Sequence, residues 1–246
     1  MYSSDDLTVV DELSNGLDQA EPIEDVPPPD PDEMLVWLES PDPQQRMRAA
    51  RAFCDIQDAR VVPHLLRLLT DDCPLVRVSV AYALGKNPSA DAVEPLITQL
   101  ATDLNGYVRK GVAWALGNCR DRRALQPLIE TLRTDISAVR LWAASALAQM
   151  ATLGYETVVA AIPPLIEALR RDKVAAVRSN CAWALGQLCR EMPSNVVYAT
   201  AIDALIEAFA EDEEMGVRED ARAAILRVGD TRGLQVIEEL ERQGWF

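Results

Sequence analysis

The amino-acid sequence predicts an all-α fold, a solenoid of about six helix pairs followed by a terminal half repeat. The first observation is an internal repeat, since GYVRKGVAWALG at residues 106–117 recurs as AAVRSNCAWALG at residues 175–186. The second is its period, because each repeat contains an aligned arginine, and consecutive arginines are 31, 32, 31, 38 and 40 residues apart. Such a period accommodates two short helices and two turns, and stacked helix pairs form solenoids. The aligned arginines are Arg46, Arg77, Arg109, Arg140, Arg178 and Arg218.

The second helix of each pair, called helix B, contains the aligned arginine. Val76, Val80 and Leu84 lie four residues apart and form an apolar stripe along such a helix. Alanines flank the stripe, and their small side chains let adjacent helices approach closely. A glycine follows in three repeats, and we expect it to end helix B in the left-handed conformation. These glycines are Gly85, Gly117 and Gly186.

The first helix, helix A, contains a proline, which a helix tolerates in its first turn. These prolines are Pro63, Pro95, Pro127 and Pro164. An aspartate follows helix A, and its carboxylate can accept hydrogen bonds from free amides at the start of helix B. We expect the aligned arginine to pair with this aspartate or with a neighbouring one. The aspartates are Asp71, Asp103, Asp172 and Asp212, six residues before their arginines, and Asp135, which is displaced by one position.

These repeats resemble HEAT repeats, specifically the short HEAT-like repeats of the cyanobacterial phycobilin lyase subunits and their relatives. The resemblance covers about residues 31–241, and the pattern from TDDCPLVRVSVAYALG to GVREDARAAILRVGD is similar to that of an IscA-interacting HEAT-repeat protein. It implies a non-enzymatic interaction scaffold. The implied partner is an IscA-type iron–sulfur assembly protein or another maturation factor.

The amino-terminal segment has a different composition. Residues 1–45 contain thirteen acidic residues and no lysine or arginine, so only −2 of the net charge of −15 belongs to residues 46–246. Low hydrophobicity, one sign of charge and three consecutive prolines predict an acidic, Pro-rich disordered arm over residues 1–29, before a solenoid over residues 30–246. The arm is interpreted as a solubilising tail, or as a segment that docks on a basic partner.

Targeting signals are not evident in the sequence. The amino terminus lacks the basic start and apolar core of a signal sequence. No run reaches the roughly 18 apolar residues of a membrane span. Five scattered cysteines do not suggest a disulfide framework. We therefore expect a soluble, cytoplasmic protein.

Catalytic chemistry has little support in the sequence. His64 is the only histidine, which excludes sites that need two imidazoles, and there is no phosphate-binding glycine loop or CxxC motif. We therefore expect no catalytic residue, no metal site and no cofactor, unless an iron–sulfur cluster or a bilin is shared with a partner. Nucleic acid is not expected to bind, because the solenoid is nearly neutral and its arginines occur singly.

Aromatic residues give the strongest functional signal. The fifth residue after the aligned arginine points away from the apolar stripe of helix B. In a solenoid this direction is the concave side, where we expect a partner-binding band with Lys110 and Asn118 at its edge. The band consists of Tyr82, Trp114 and Trp183, joined by Trp142 from a neighbouring position on the same face. Binding hot spots have this composition, but the same rings could instead fill gaps between neighbouring B helices.

Three functions are compatible with the sequence. One is the interaction scaffold. The second is a bilin lyase subunit that acts with a partner, or a tetrapyrrole chaperone in phycobilisome assembly, because tetrapyrroles stack on aromatic side chains. The third is a structural linker, for which the aromatic band would be packing.

Overall fold

The computed structural model describes residues 29–244, which form thirteen α-helices and no strand. The helices are α1 (Pro31–Trp37), α2 (Pro43–Ala52), α3 (Val62–Leu68), α4 (Pro74–Lys86), α5 (Val93–Thr102), α6 (Gly106–Cys119), α7 (Leu125–Thr134), α8 (Ser137–Gln149), α9 (Tyr155–Arg171), α10 (Ala175–Cys189), α11 (Val196–Glu211), α12 (Met215–Val228) and α13 (Thr231–Arg242). Odd-numbered helices are A helices and even-numbered helices are B helices. The predicted all-α solenoid of six pairs and a half repeat is confirmed. The predicted arm over residues 1–29 lies almost entirely outside the described residues.

The core lies between the two helix layers. The apolar stripe of α4, formed by Val76, Val80 and Leu84, is fully buried, and so are the flanking alanines Ala81 and Ala83. Consecutive even-numbered helices pack against one another more closely than consecutive odd-numbered helices do. This is the arrangement expected when the B helices form the inner layer of a curved stack.

The prediction that three glycines end their helices is wrong. Gly85, Gly117 and Gly186 lie inside α4, α6 and α10, each of which continues beyond its glycine. None of the three has a positive φ. A Cβ on Gly117 would lie 2.8 Å from the Cα of Ala146 in α8, and a Cβ on Gly186 would lie 2.9 Å from the Cβ of Ala224 in α12. The glycines are therefore required for the close approach of neighbouring B helices.

The first-turn position predicted for Pro164 is also wrong. Helix α9 begins at Tyr155, so that Pro163 and Pro164 lie inside a 17-residue helix. Each proline removes one backbone donor from that helix. The residues that lengthen this repeat to 38 extend helix A at its amino terminus, before the prolines. Elsewhere, the prolines of α3, α5 and α7 follow a 3₁₀ turn and lie in the first α-helical turn.

Arginine and aspartate link consecutive repeats in a ladder. The Nε of Arg77 donates to Oδ2 of Asp103 in the next repeat at 2.8 Å, and its Nη1 donates to the carbonyl of Asp71 in its own repeat at 2.7 Å. Oδ1 of Asp103 accepts the backbone N–H of Asn105 at 2.8 Å, at the start of α6. The arginine therefore pairs with the neighbouring aspartate. The five pairs are Arg46–Asp71, Arg77–Asp103, Arg109–Asp135, Arg140–Asp172 and Arg178–Asp212.

The ladder keeps its carboxylates ionised. Burial is the largest single influence and acts to raise the pKa of these aspartates, but the arginine and backbone hydrogen bonds together outweigh it. The net effect lowers the pKa of four of them, Asp103, Asp135, Asp172 and Asp212. The ladder therefore stabilises the stack in its charged form.

No helix in the described part of the chain combines the length and apolarity that a membrane span requires.

Candidate functional site

The four predicted aromatic residues lie on four consecutive even-numbered helices. Tyr82 is on α4, Trp114 on α6, Trp142 on α8 and Trp183 on α10, and each is half-buried. The ring centroids of Tyr82 and Trp114 are 5.5 Å apart, with the ring planes tilted by 47°. Among the described residues, this is the only ring-to-ring contact. The structure therefore joins two members of the band directly, while Trp142 and Trp183 occupy separate positions.

The rings pack partly between neighbouring helices. Ring carbons of Trp114 occupy the place where a side chain on Gly85 would lie, and a ring carbon of Tyr82 lies 3.5 Å from the Cβ position of Gly111. Trp142 and Trp183 pack against buried core residues. Each ring is therefore partly packed and partly exposed to solvent, and for Tyr82 and Trp114 the packed part lies against a neighbouring B helix. Both roles considered for the band, binding and packing, are compatible with this arrangement.

Two lysines lie against the tryptophans. The Nζ of Lys110 is 5.5 Å from the ring centroid of Trp142, and the Nζ of Lys86 is 6.0 Å from that of Trp114. These distances are within the range of cation–π attraction. Lys110 was predicted at the edge of the band, whereas Lys86 was not singled out. Asn118 is half-buried near the end of α6, four residues after Trp114 and therefore on the same side of the helix.

The surface formed by these side chains on the helices from α2 to α10, here called the B-helix face, carries its unpaired cations on α2, α4 and α6. The sequences of α2, α4, α6, α8 and α10 contain no aspartate or glutamate. Arg48, Arg51, Lys86 and Lys110 form no ion pair with any residue between 29 and 244. Their positive charge is therefore not neutralised by the solenoid.

The A helices have a different charge distribution. Acidic and basic side chains there pair across consecutive repeats, as Arg170 does with Glu207 at 2.8 Å and Arg232 with Asp203 at 2.8 Å. Further pairs of this kind are Arg67–Glu39, Arg123–Glu94 and Arg133–Glu167. The A helices therefore carry charges of both signs, whereas the B helices from α2 to α10 carry no carboxylate.

An apolar groove lies between α2 and α4 at one end of the B-helix face. It encloses about 440 Å³ and is lined by Met47, Leu75, Val78 and Tyr82, with Arg51 at its side. Leu75 is 62% exposed. The sequence interpretation missed this groove because it considered only positions that follow the aligned arginine. Leu75 lies two residues before the arginine, a position shared by Tyr107, which is 74% exposed.

Asn180 lies on α10, and its side chain has a structural role. Its Nδ2 donates to the backbone carbonyl of Leu141 and to Oγ of Ser145, both at 2.9 Å. These bonds join α10 to α8, so this amide holds two B helices together.

The groups that could support catalysis are dispersed. Nδ1 of His64 on α3 lies 2.6 Å from a carboxylate oxygen of Glu39, away from the B helices. Cys181 is fully buried, and burial raises the pKa of its thiol. Burial also raises the pKa of Cys189, to about 12. Such thiols are protonated at neutral pH and therefore unreactive. Among residues 29–244, no group of three histidine, cysteine or acidic side chains is arranged to hold a metal ion.

The chain is similar to known proteins in its repeat family and in its fold. A family model described as HEAT repeats matches residues 31–116, 93–186 and 162–243. No curated protein sequence matches the chain significantly. The fold is similar to the complex of CpcE and CpcF of phycocyanin lyase from Nostoc sp. PCC7120, with a TM-score of 0.61 and 22% identity over 89% of this chain and 84% of that chain.

Two engineered structures are also similar. A designed armadillo repeat protein in complex with the peptide (KR)4 has a TM-score of 0.61 and 21% identity over 81% of this chain and 100% of that chain. An engineered protein has a TM-score of 0.62 and 25% identity over 81% of this chain and 98% of that chain. The matches to solved structures agree with a helical-repeat fold. Together with the family matches, which extend from residue 31 to residue 243, they lead to one conclusion: the chain belongs to the HEAT-repeat family.

Proposed function

We propose that this protein is a non-enzymatic scaffold that binds a partner protein through its B-helix face. The observation that carries the proposal is the combination, on this one face, of partly exposed aromatic rings with cations that the solenoid does not neutralise. Aromatic side chains and arginine are enriched at protein interfaces, and charges that complement those of a partner steer it onto such a surface. On the A helices, by contrast, acidic and basic side chains are interspersed, and several of them pair across consecutive repeats.

The repeat architecture supports this function. Stacked helical repeats present an extended surface that can follow a partner over several repeats. The similar designed armadillo protein is in complex with the peptide (KR)4. The resemblance of the repeats to an IscA-interacting HEAT-repeat protein makes an IscA-type iron–sulfur assembly protein the first partner to test, before other maturation factors.

Calorimetric titration of a purified IscA-type protein into the full-length chain tests this partner. We expect saturable binding that Trp142→Ala weakens, because the ring and the Lys110 ammonium over it form one surface. Leu104→Ala is the matched control, since Leu104 is 98% exposed in the turn before α6 and lies off the B-helix face. Equal affinity of both variants and the wild type would place the partner elsewhere. Absence of any binding would reject the IscA-type partner.

A bilin lyase subunit or tetrapyrrole chaperone is the second candidate. The similarity to the CpcE and CpcF complex of phycocyanin lyase favours it, and in this case the chain would act with a partner subunit. Absorption spectra of the protein purified from its native host distinguish the candidates. A bilin band at red wavelengths supports the second one, an iron–sulfur band supports the first, and a colourless protein in complex with another chain supports a scaffold without a cofactor.

A further inference from the structure

We propose that the partner segment bound on the B-helix face is acidic, with apolar side chains between its carboxylates. This inference rests on the proposed function and specifies the chemistry of the partner. It concerns the part of the face from α2 to α8, which contains the apolar groove, three of the four aromatic residues and the cations Arg48, Arg51, Lys86 and Lys110.

Charge complementarity is the first argument. The chain as a whole has a net charge of −15, yet five successive B helices contain no carboxylate. Asp55, which follows α2, lines the groove together with Arg51. An acidic segment would therefore meet an attractive potential on this face, while a basic segment would be repelled.

The groove supplies the apolar component. Met47, Leu75 and Val78 provide a partly exposed apolar floor next to the Arg51 guanidinium. A leucine or phenylalanine side chain of the partner can enter this groove while a neighbouring carboxylate reaches the arginine. The pairing of an apolar pocket with a cation at its edge indicates a segment in which acidic and apolar residues alternate.

The far end of the solenoid limits where such a segment can bind. Helix α12 carries the exposed carboxylates Glu219 and Asp220, so the charge of the B helices changes there. Three helix spacings of about 10 Å separate α2 from α8. An extended chain rises about 3.3 Å per residue, so a segment of about nine residues covers this distance.

Nucleic acid also carries negative charge but fits the face less well. Single strands bind by stacking bases on exposed aromatic rings. Here the Lys86 and Lys110 ammonium groups lie over the rings of Trp114 and Trp142, and two carbons of the six-membered ring of Trp114 pack toward Gly85. Base stacking on these rings would have to displace the lysines, whereas a carboxylate can pair with them in place.

Fluorescence anisotropy of the full-length chain with three labelled probes tests the inference. The probes are a peptide of alternating glutamate and leucine of about nine residues, the same peptide with lysine in place of glutamate, and an oligothymidylate. We expect the glutamate–leucine peptide to bind more tightly than the other two probes. The double variant R48E/R51E should weaken its binding about tenfold, since each charge contact in an exposed site changes affinity severalfold.

The matched control is R171E/K173E, which changes the net charge equally at exposed cations near the end of α9, off the B-helix face. This variant should bind the glutamate–leucine peptide like the wild type. Equal weakening by both double variants would show a nonspecific charge effect and overturn the proposal. Preferred binding of the lysine peptide or of the oligothymidylate would also overturn it.

Binding measurements with the purified partner and with the peptide together distinguish failure of the acidic chemistry from failure of the scaffold function. If the glutamate–leucine peptide does not bind but Trp142→Ala still weakens binding of the purified partner, the acidic chemistry is wrong and the scaffold function stands. If neither ligand depends on the B-helix face, both proposals are wrong. Sedimentation velocity adds a third outcome, since self-association that R48E/R51E abolishes would assign the face to a second copy of the chain and refute a separate acidic partner.

Discussion

Gly117→Ala tests whether helix-interior glycines set the spacing of the B helices. A Cβ at this position would lie 2.8 Å from the Cα and 2.9 Å from the Cβ of Ala146 in α8. The near atom is part of the backbone, so a side-chain rotation cannot relieve the contact. Helix α8 would have to move away from α6, which would loosen the packing between two repeats.

Two opposing effects determine the size of the change. Overpacking of a close-packed core costs about 1–3 kcal/mol, whereas alanine favours a helix interior over glycine by about 1 kcal/mol. Because the neighbour of Gly117 is backbone, we expect the upper part of the overpacking range and a net loss of about 2 kcal/mol. For a chain of this size, such a loss lowers the melting temperature by about 4–8 °C.

The chain contains its own controls for this experiment. Gly216 in α12 has no atom within 4 Å of its Cβ position, so Gly216→Ala should leave stability unchanged or increase it. At Gly111 the nearest atom is the Cβ of Ala81 at 3.2 Å, and Gly111→Ala should have an intermediate effect.

Thermal and urea unfolding followed by circular dichroism would give this order of stability. Comparison by transition midpoint is appropriate because stacked repeats can unfold in more than one step. A Gly117→Ala protein as stable as the wild type would refute the role assigned to helix approach. Equal losses in the Gly117 and Gly216 variants would refute it as well.

Three further predictions concern the ladder and the single histidine. Arg178→Lys should lower the free energy of unfolding by about 2 kcal/mol in a urea titration, since the side chains of Arg178 and Asp212 are only 7% and 8% exposed. Glu167→Gln removes an exposed ion pair with Arg133 and should cost less than about 1 kcal/mol in the same titration. Acid should destabilise the stack, because the folded state lowers the pKa of four ladder aspartates. Their contribution to stability is fully present above the unfolded-state pKa of about 3.9 and is lost as the pH falls through their folded-state pKa. Urea midpoints that stay constant from pH 6 to about pH 3 would contradict this prediction. His64→Ala should leave the calorimetric affinity for the partner unchanged, and loss of binding in a folded variant would assign His64 a role that its place on α3 does not suggest.

The repeat period explains why most of the fold could be predicted. The aligned arginines, the aspartates and the apolar stripes recur in register, so each repeat supports the assignment of the others. The partner of each arginine could not be chosen from the sequence, because equivalent aspartates occur in its own repeat and in the next one. In the structure, Arg109 uses both, since it pairs with the carboxylate of Asp135 and donates to the carbonyl of Asp103.

Glycine and proline were misread for a physical reason. The sequence alone does not distinguish a glycine that ends a helix from a glycine that lets a neighbouring helix approach closely. The distance from the glycine to the backbone of the neighbouring helix distinguishes the two roles. Gly117 lies against Ala146 and is therefore of the second kind. Pro163 and Pro164 lie inside α9 because helix A of this repeat is extended at its amino end. The sequence did not show which part of the repeat contains the extra residues.

The aromatic residues were placed on the correct helices by their register, but their environment was not predictable. How much of Trp114 is exposed depends on the space that Gly85 leaves in the neighbouring helix. Leu75 and the groove beside it depend on how α2 and α4 pack, which no single repeat encodes. Whether the band binds a partner remains a prediction.

The most direct test of the binding role compares affinity and stability in the same variants. Trp114→Ala and Trp183→Ala should each weaken binding of the purified partner by about 2 kcal/mol, or roughly thirtyfold, when affinity is calculated for the folded fraction. Leu104→Ala, off the face, should bind like the wild type. A large fall in melting temperature with unaltered affinity of the folded protein would contradict the account and assign these tryptophans to the packing of the B helices alone.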